Sequence, residues 1–199
     1  EFRDALTRRR MVRSYTDEPI DASVLERIVD AGVRAPSAGF SQGQRFVVVT
    51  SEAQRVAIAE AAGEPEYVAK GFDPWISQAP AHIVVCADKD AYLRRYSEPD
   101  KTGADGAPST EADWPVPYWW VDAGASMMSI LLAAVDEGLA AGFLGSHNLE
   151  MIHQALGIPD DILIVGVVTV GHPATDRRSG SLTRGWNIRS TVVFHDHWT

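Results

Sequence analysis
The sequence predicts a single domain in which helices and a sheet are layered as a mixed α/β sandwich. Three observations carry that reading. Short apolar runs with a strand's β-branched composition alternate along the chain with segments of helical periodicity. The apolar runs are continuous rather than alternating, as in strands covered on both faces. The chain has 199 residues, 45% hydrophobic and 23% charged, enough to bury a core without disulfides.

Taken in order, Asp21 to Val33 places Val24, Leu25, Ile28 and Val29 on one helical face, with Asp21 or Ser23 as its cap. Gly32 and Pro36 mark its end. Arg45 to Thr50, with Phe-Val-Val-Val at its centre, reads as a buried strand. Ser51 with Gln54 has the spacing of a capping box and opens a helix through Ala62. Pro80 precedes a second buried strand, Ala81 to Ala87. From about 91 to 117 the pattern dissolves, punctuated by Gly103, Gly106, Pro108, Pro115 and Pro117. A stretch of this length is read as an insertion, lid-like or mobile. Its far end is aromatic: Trp114, Tyr118, Trp119 and Trp120. These rings fill core or an oligomer interface, or else cover a flat ligand, and both readings stay open.

Tyr118 to Gly138 is the longest helical pattern, apolar almost all round, as a buried helix would be. Its small residues Gly124, Ala125 and Ser126 suit close helix–helix approach at a subunit interface. Gly142-Phe143-Leu144-Gly145 follows, either a tight strand start or a backbone that touches a ring. Asn148 or Ser146 caps a helix through Leu156, Ile162 to Gly171 is a buried strand, and Thr191 to Phe194 a short terminal one. Between those strands, Thr175 to Arg189 is basic and irregular, with Arg177, Arg178, Arg184 and Arg189.

The net charge of −9 argues against generic binding to nucleic acid. The lone Cys86 excludes an internal disulfide and Cys-based metal spacing, and inside an apolar strand it should be inert. The charged stretch Glu1 to Arg10 shows no secretory signal, and no apolar run is read as approaching the roughly 20 residues of a bilayer span. A cytoplasmic protein with no membrane partner is the expectation.

The densest chemical signal is Arg8-Arg9-Arg10-Met11-Val12-Arg13. Arginines at this spacing either hold one anion with two guanidinium forks or form a solvated basic face. Ala35 to Gly43 offers small residues for close backbone approach and Gln42 as donor and acceptor, though an ordinary turn uses the same residues. Its Gly39-Phe40-Ser41-Gln42-Gly43 spells the hydrolase pattern G-x-S-x-G but precedes a strand instead of joining strand to helix. No dinucleotide fingerprint, P-loop or zinc-binding helix motif is present. His195 and His197 are read as solvated.

Four stretches in order, Arg9 to Tyr15, Ala35 to Phe46, Asp122 to Gly145 and Val165 to Pro173, resemble the nitroreductase family of flavin proteins over essentially the whole chain. The resemblance implies an α+β fold, a mixed sheet flanked by helices. It also implies a homodimer, with FMN at the subunit interface and a C-terminal segment wrapping the partner. By position it assigns the FMN phosphate and pyrimidine edge to Arg9, Arg10 and Arg13, and a loop contacted across the interface to Ser37, Ala38, Gly39 and Gln42. Leu144 and Gly145 fall where backbone N–H groups approach the flavin ring, and Arg184 where a basic residue completes the phosphate site. Phe40, Trp114, Tyr118 and Trp119 are expected as substrate-facing or lid residues. Three positions depart from the family pattern: Met11 for a hydroxyl residue, Phe40 for a polar one and Trp186 for an arginine.

Gly39-Phe40 and Trp-Pro-Val-Pro-Tyr-Trp (114–119) look closer to the 5,6-dimethylbenzimidazole synthase and iodotyrosine deiodinase branch than to bacterial nitroreductases. The synthase carries an acidic residue where Met11 stands, so its proton-handling group is missing here. The implied activity takes hydride from NADH or NADPH and reduces a nitroaromatic or quinone by ping-pong turnover, the flavin carrying the chemistry. The alternatives are a flavin-storage protein, a specialised flavin reaction such as dehalogenation or flavin fragmentation, and a hydrolase.

Overall fold
A computed structural model of the chain describes residues 1–102, 106–145, 148–175 and 179–198. Gly103, Ser146, Arg177 and Arg178, singled out from the sequence, lie outside the described residues. Four strands, β1 (Gln44–Val49), β2 (Ala81–Asp88), β3 (Ala140–Leu144) and β4 (Ile162–Gly171), form one sheet in the order β1-β2-β4-β3. The fold is α+β. Among the described residues every ladder is antiparallel, and the parallel part of the expected mixed sheet is one bridge, Met11 to Ala141.

Alternation along β2 explains why its sequence reads as one apolar run. Ile83, Val85 and Ala87 face a layer made by helices α2 (Ala22–Val33) and α7 (Tyr118–Asp136). Val84 and Cys86 face the opposite layer, where α3 (Glu52–Ala61), α5 (Trp75–Gln78) and α8 (Leu149–Leu156) pack. The strand is therefore covered on both faces. Helices α1 (Phe2–Arg8), α4 (Glu64–Ala69) and α6 (Lys89–Tyr96) complete the set. Asp21 caps α2 as expected, accepting the Ser23 N–H at 2.8 Å.

The two ends of the body run side by side. Val12 N–H donates to the Ala141 carbonyl at 3.0 Å, Thr16 N–H to His172, and Ala174 N–H to Ser14. Gly142 permits this approach, because a Cβ there would lie 2.5 Å from the Val12 carbonyl oxygen. The Tyr15 hydroxyl closes the seam, donating to Val12 O at 2.8 Å.

Several expectations change. Ser51 occupies the N-cap of α3, but its side chain makes no capping bond, so the expected box is not formed. The stretch from 91 is not patternless at its start: α6 runs to Tyr96, because the Asp88 carboxylate caps it by accepting Ala91 N–H at 3.0 Å. A short turn, Glu111–Asp113, follows, tied to the body by the Lys89–Glu111 ion pair at 2.8 Å. Helix α7 has the length and composition of a membrane span, contrary to the expectation, yet its inner face is core. It is not buried all round either, because the sheet covers one side and leaves Trp120 and Val121 exposed. Thr191 to Phe194 is not a strand; a turn at Arg189–Thr191 leads into irregular backbone, and no described strand pairs with it.

Candidate functional site
Where β3 ends, a cavity of about 600 Å³ opens. Phe143, Leu144 and Gly145 form its floor, Arg13 one edge, and Trp75 with Phe72 and Tyr67 its aromatic side. The seam between the chain's ends brings Arg13 here, and Ser179 and Gly180 reach the same rim. Space beside Gly145 is open, so its backbone is accessible from the cavity. The Arg13 guanidinium lies 5.5 Å from the centroid of the Trp75 ring, a cation–π contact that orients it.

The α5 wall is tied from behind by buried and half-buried polar groups. The Glu64 carboxylate accepts the backbone N–H groups of Ile76 and Ser77, so it serves the helix start and is not a spare ligand. Arg55 donates to the carbonyls of Ser77 at 2.9 Å and Ala79 at 2.8 Å. His82 Nε2 meets the Ile76 carbonyl at 2.8 Å, and since a carbonyl only accepts, that nitrogen carries the proton. Burial pushes the His82 pKa down to about 4, with the Arg55 charge adding to the effect against the Ile76 bond, so the ring is neutral. Burial likewise pushes the Cys86 thiol up to about 12, which leaves it unreactive.

A fixed guanidinium, an accessible backbone turn and apolar aromatic walls suit a planar ligand carrying an anionic group. The donor set fits FMN in that respect. Arg13, Leu144 and Gly145 of the sequence-derived set share this cavity. Arg10 does not line it; it is exposed beside a smaller pocket of about 180 Å³ that Arg8 also lines. Arg9 is half-buried at the end of α1. Arg8 is spent on structure, donating to the Val135 carbonyl near the end of α7 at 3.0 Å and pairing with Asp4. Arg184 ends the Gly180–Arg184 turn, exposed, a short way along the arm that starts at the cavity rim.

Ser37, Ala38, Gly39 and Gln42 lie in a separate turn, and none lines the cavity. Ser41 donates its hydroxyl proton to the Ala38 carbonyl at 2.6 Å, and the segment runs into β1, so it builds no nucleophile elbow. Phe40 is 75% exposed on this turn. Trp119 corrects the lid expectation: it is 2% exposed and packs edge-on against Tyr92, so it fills core. Trp114 is half-buried, 4.6 Å from Tyr96 by ring centroids, with its indole N–H donating to the Ser109 hydroxyl. With Tyr118 it borders a third hollow, of about 420 Å³. Sequence reasoning missed Tyr67, Phe72 and Trp75; the clustering of three rings around Gly71 and Pro74 was the available signal.

The family profile described as "Nitroreductase family" matches residues 6–172. The chain belongs to the nitroreductase family. As a member it is an oxidoreductase. An Archaeoglobus fulgidus protein with the provisional name NADH dehydrogenase/NAD(P)H nitroreductase is 30% identical over 173 residues, 85% of this chain and 83% of that protein. A Bacillus subtilis FMN reductase (NAD(P)H) is 28% identical, over 85% of this chain and 65% of its own length. Among solved structures, nitroreductase A from Vibrio parahaemolyticus superposes with a TM-score of 0.74 at 26% identity, covering 100% of this chain and 76% of that one. A nitroreductase family protein from Clostridium difficile gives 0.73 at 22%, covering 99% of each chain, and speaks to the fold.

Proposed function
We propose that this nitroreductase family member binds FMN in the 600 Å³ cavity and uses NADH or NADPH to reduce a small electron-poor acceptor, a nitroaromatic or a quinone. The observation that carries the reading is the convergence of Arg13, Leu144 and Gly145 on one cavity in a chain of this family. A bound flavin supplies the hydride chemistry that no side chain here provides. The protein's own part is positioning. Arg13, steadied by Trp75, neutralises an anionic edge or phosphate, and Gly145 offers backbone to the ring. Tyr67, Phe72 and Trp75 keep the cavity apolar and leave one side for a planar acceptor.

The functional unit in this reading is a homodimer. The outer face of α7, with Trp120 and Val121, and the arm carrying Leu182, Trp186 and Ile188 leave large apolar side chains in water. A second copy covers them, bringing its own Ser37–Gln42 turn to the cavity and placing Arg9, Arg10 and Arg184 for the phosphate. Of the 91–117 stretch read as lid-like, the described part from 106 to 117 serves as the lid in this reading, with Phe40, Trp114 and Tyr118 nearest the acceptor. A buried, unreactive Cys86 suits a cytoplasmic setting. Oxidation of NADH or NADPH by purified protein supplied with FMN, with and without a quinone or nitroaromatic, tests the activity. The acceptor should raise the rate many-fold and give parallel double-reciprocal lines; a rate indifferent to every acceptor contradicts it.

A further inference from the structure
The Ser37–Gln42 turn is strained, and its bracing points to a residue with an unassigned task. Gly39, Phe40 and Gln42 have φ of 58°, 58° and 50°, the left-handed region that side chains other than glycine's rarely adopt. Such conformations persist only where the surroundings over-determine them. Here Ala38 N–H donates to Asp122 Oδ2 at 2.8 Å, and the Tyr92 hydroxyl donates to the same oxygen at 2.9 Å. Asp122 is a buried carboxylate on the first turns of α7, and the Tyr92 ring is wedged between Trp114 and Trp119. The other ties to the turn are less buried: Arg95 Nε to the Gly39 carbonyl, and Arg45 to the Gln42 carbonyl. Gly39 also lies flat on Tyr96, where a Cβ would come within 2.6 Å of the ring.

We propose that Asp122, backed by Tyr92, is the positioning residue of the Ser37–Gln42 turn, holding it in the strained shape that meets the flavin of the partner protomer. The proposal rests on the functional reading above for the flavin, and on the hydrogen bonds for the latch itself. Asp122 touches neither flavin nor substrate in this scheme. It acts through Ala38, fixing the direction in which Gly39 and Phe40 leave the α2–β1 connection.

The test compares Asp122→Ala, Asp122→Asn and Tyr92→Phe as FMN-loaded proteins. Amide hydrogen exchange over peptides spanning 36–43 reads the latch, and the rate of flavin release on dilution reads its consequence. Losing a charge-assisted bond predicts roughly 10- to 100-fold faster exchange in that segment for Asp122→Ala, and flavin release faster by a similar factor. Asp122→Asn, which keeps the shape and an acceptor, should restore most of both, and Tyr92→Phe should give a smaller effect of the same kind. Should Asp122→Ala not fold, the asparagine and phenylalanine variants carry the test against the unmodified protein. Unchanged exchange in 36–43 in the folded variants overturns the latch. Faster exchange with unchanged flavin release overturns the positioning role. A parent protein that takes up no flavin defeats the functional reading instead, while the exchange arm still decides whether Asp122 holds the turn.

Discussion
The α5 wall of the cavity and the arm that starts at its rim are built by opposite means. Along the wall, Glu64, Arg55 and His82 reach from three elements to fix one short segment, Pro74 to Ala79, from behind. Along the arm, the described residues from Ser179 to Val192 are all exposed, and Trp186 is 96% so. The wall draws its order from buried polar bonds within the chain, each costly to break because a desolvated group is left behind. Leu182, Trp186 and Ile188 find no such cover within it. One side of the site is held by bonds within a single chain, whereas the other leaves large apolar side chains exposed, the surface that the proposed second copy would cover.

Removing residues 179–199 is the strongest way to break that contrast. Covering one large apolar side chain is worth about 1.5–3 kcal/mol, so losing several together exceeds the effect of any single contact. The truncated protein is expected to run as a monomer by light scattering and to lose its flavin, while its circular dichroism stays folded. A flavin-loaded dimer after truncation would mean that the arm is ornament.

A pH titration sharpens the wall side. His82 has a folded-state pKa of about 4, below the value near 6.5 expected when unfolded. The unfolded chain binds the extra proton first, so the stability from the neutral ring is complete above 6.5 and is lost as pH falls towards 4. The loss is on the order of 3 kcal/mol, read as a falling urea midpoint. His82→Gln should flatten that part of the profile; an unaltered slope would remove the histidine from the account.

The smallest expected effects are single charges, one at the cavity edge and one along the arm. Arg13→Ala and Arg184→Ala should each weaken flavin retention by about 1.5–3 kcal/mol, roughly 10- to 100-fold in dissociation constant by fluorescence titration. Equal retention in both variants refutes the phosphate assignment. Weakening in Arg13→Ala alone would keep the wall side and discard the arm's contribution.

The same contrast explains what was legible in the sequence. The strands could be read because Val84 and its neighbours are covered on both sides, which forces continuous β-branched runs. Helix α2 could be read because Asp21 has one local task, fulfilled within two residues. Helix α6 was hidden, since Asp88 ends a strand and caps a helix at once and the turns that follow are polar. Arg13, Leu144 and Gly145 could be singled out because an arginine run and a glycine-bracketed turn mark them and the family resemblance gives them roles, while the seam that joins them links distant parts of the chain. Tyr67, Phe72 and Trp75 are marked only by their clustering around Gly71 and Pro74, a weaker signal than a charge because aromatic rings also fill cores. Thr191 to Phe194 misled because its apolar character serves a local ring contact, Phe194 on Trp198 at 4.7 Å between centroids, and not a ladder with a described strand.

Native mass spectrometry of the purified protein decides whether two chains enclose the flavin. One dominant species is expected, with the mass of two chains and two FMN molecules. A single chain without flavin, persisting after incubation with excess FMN, would contradict that expectation.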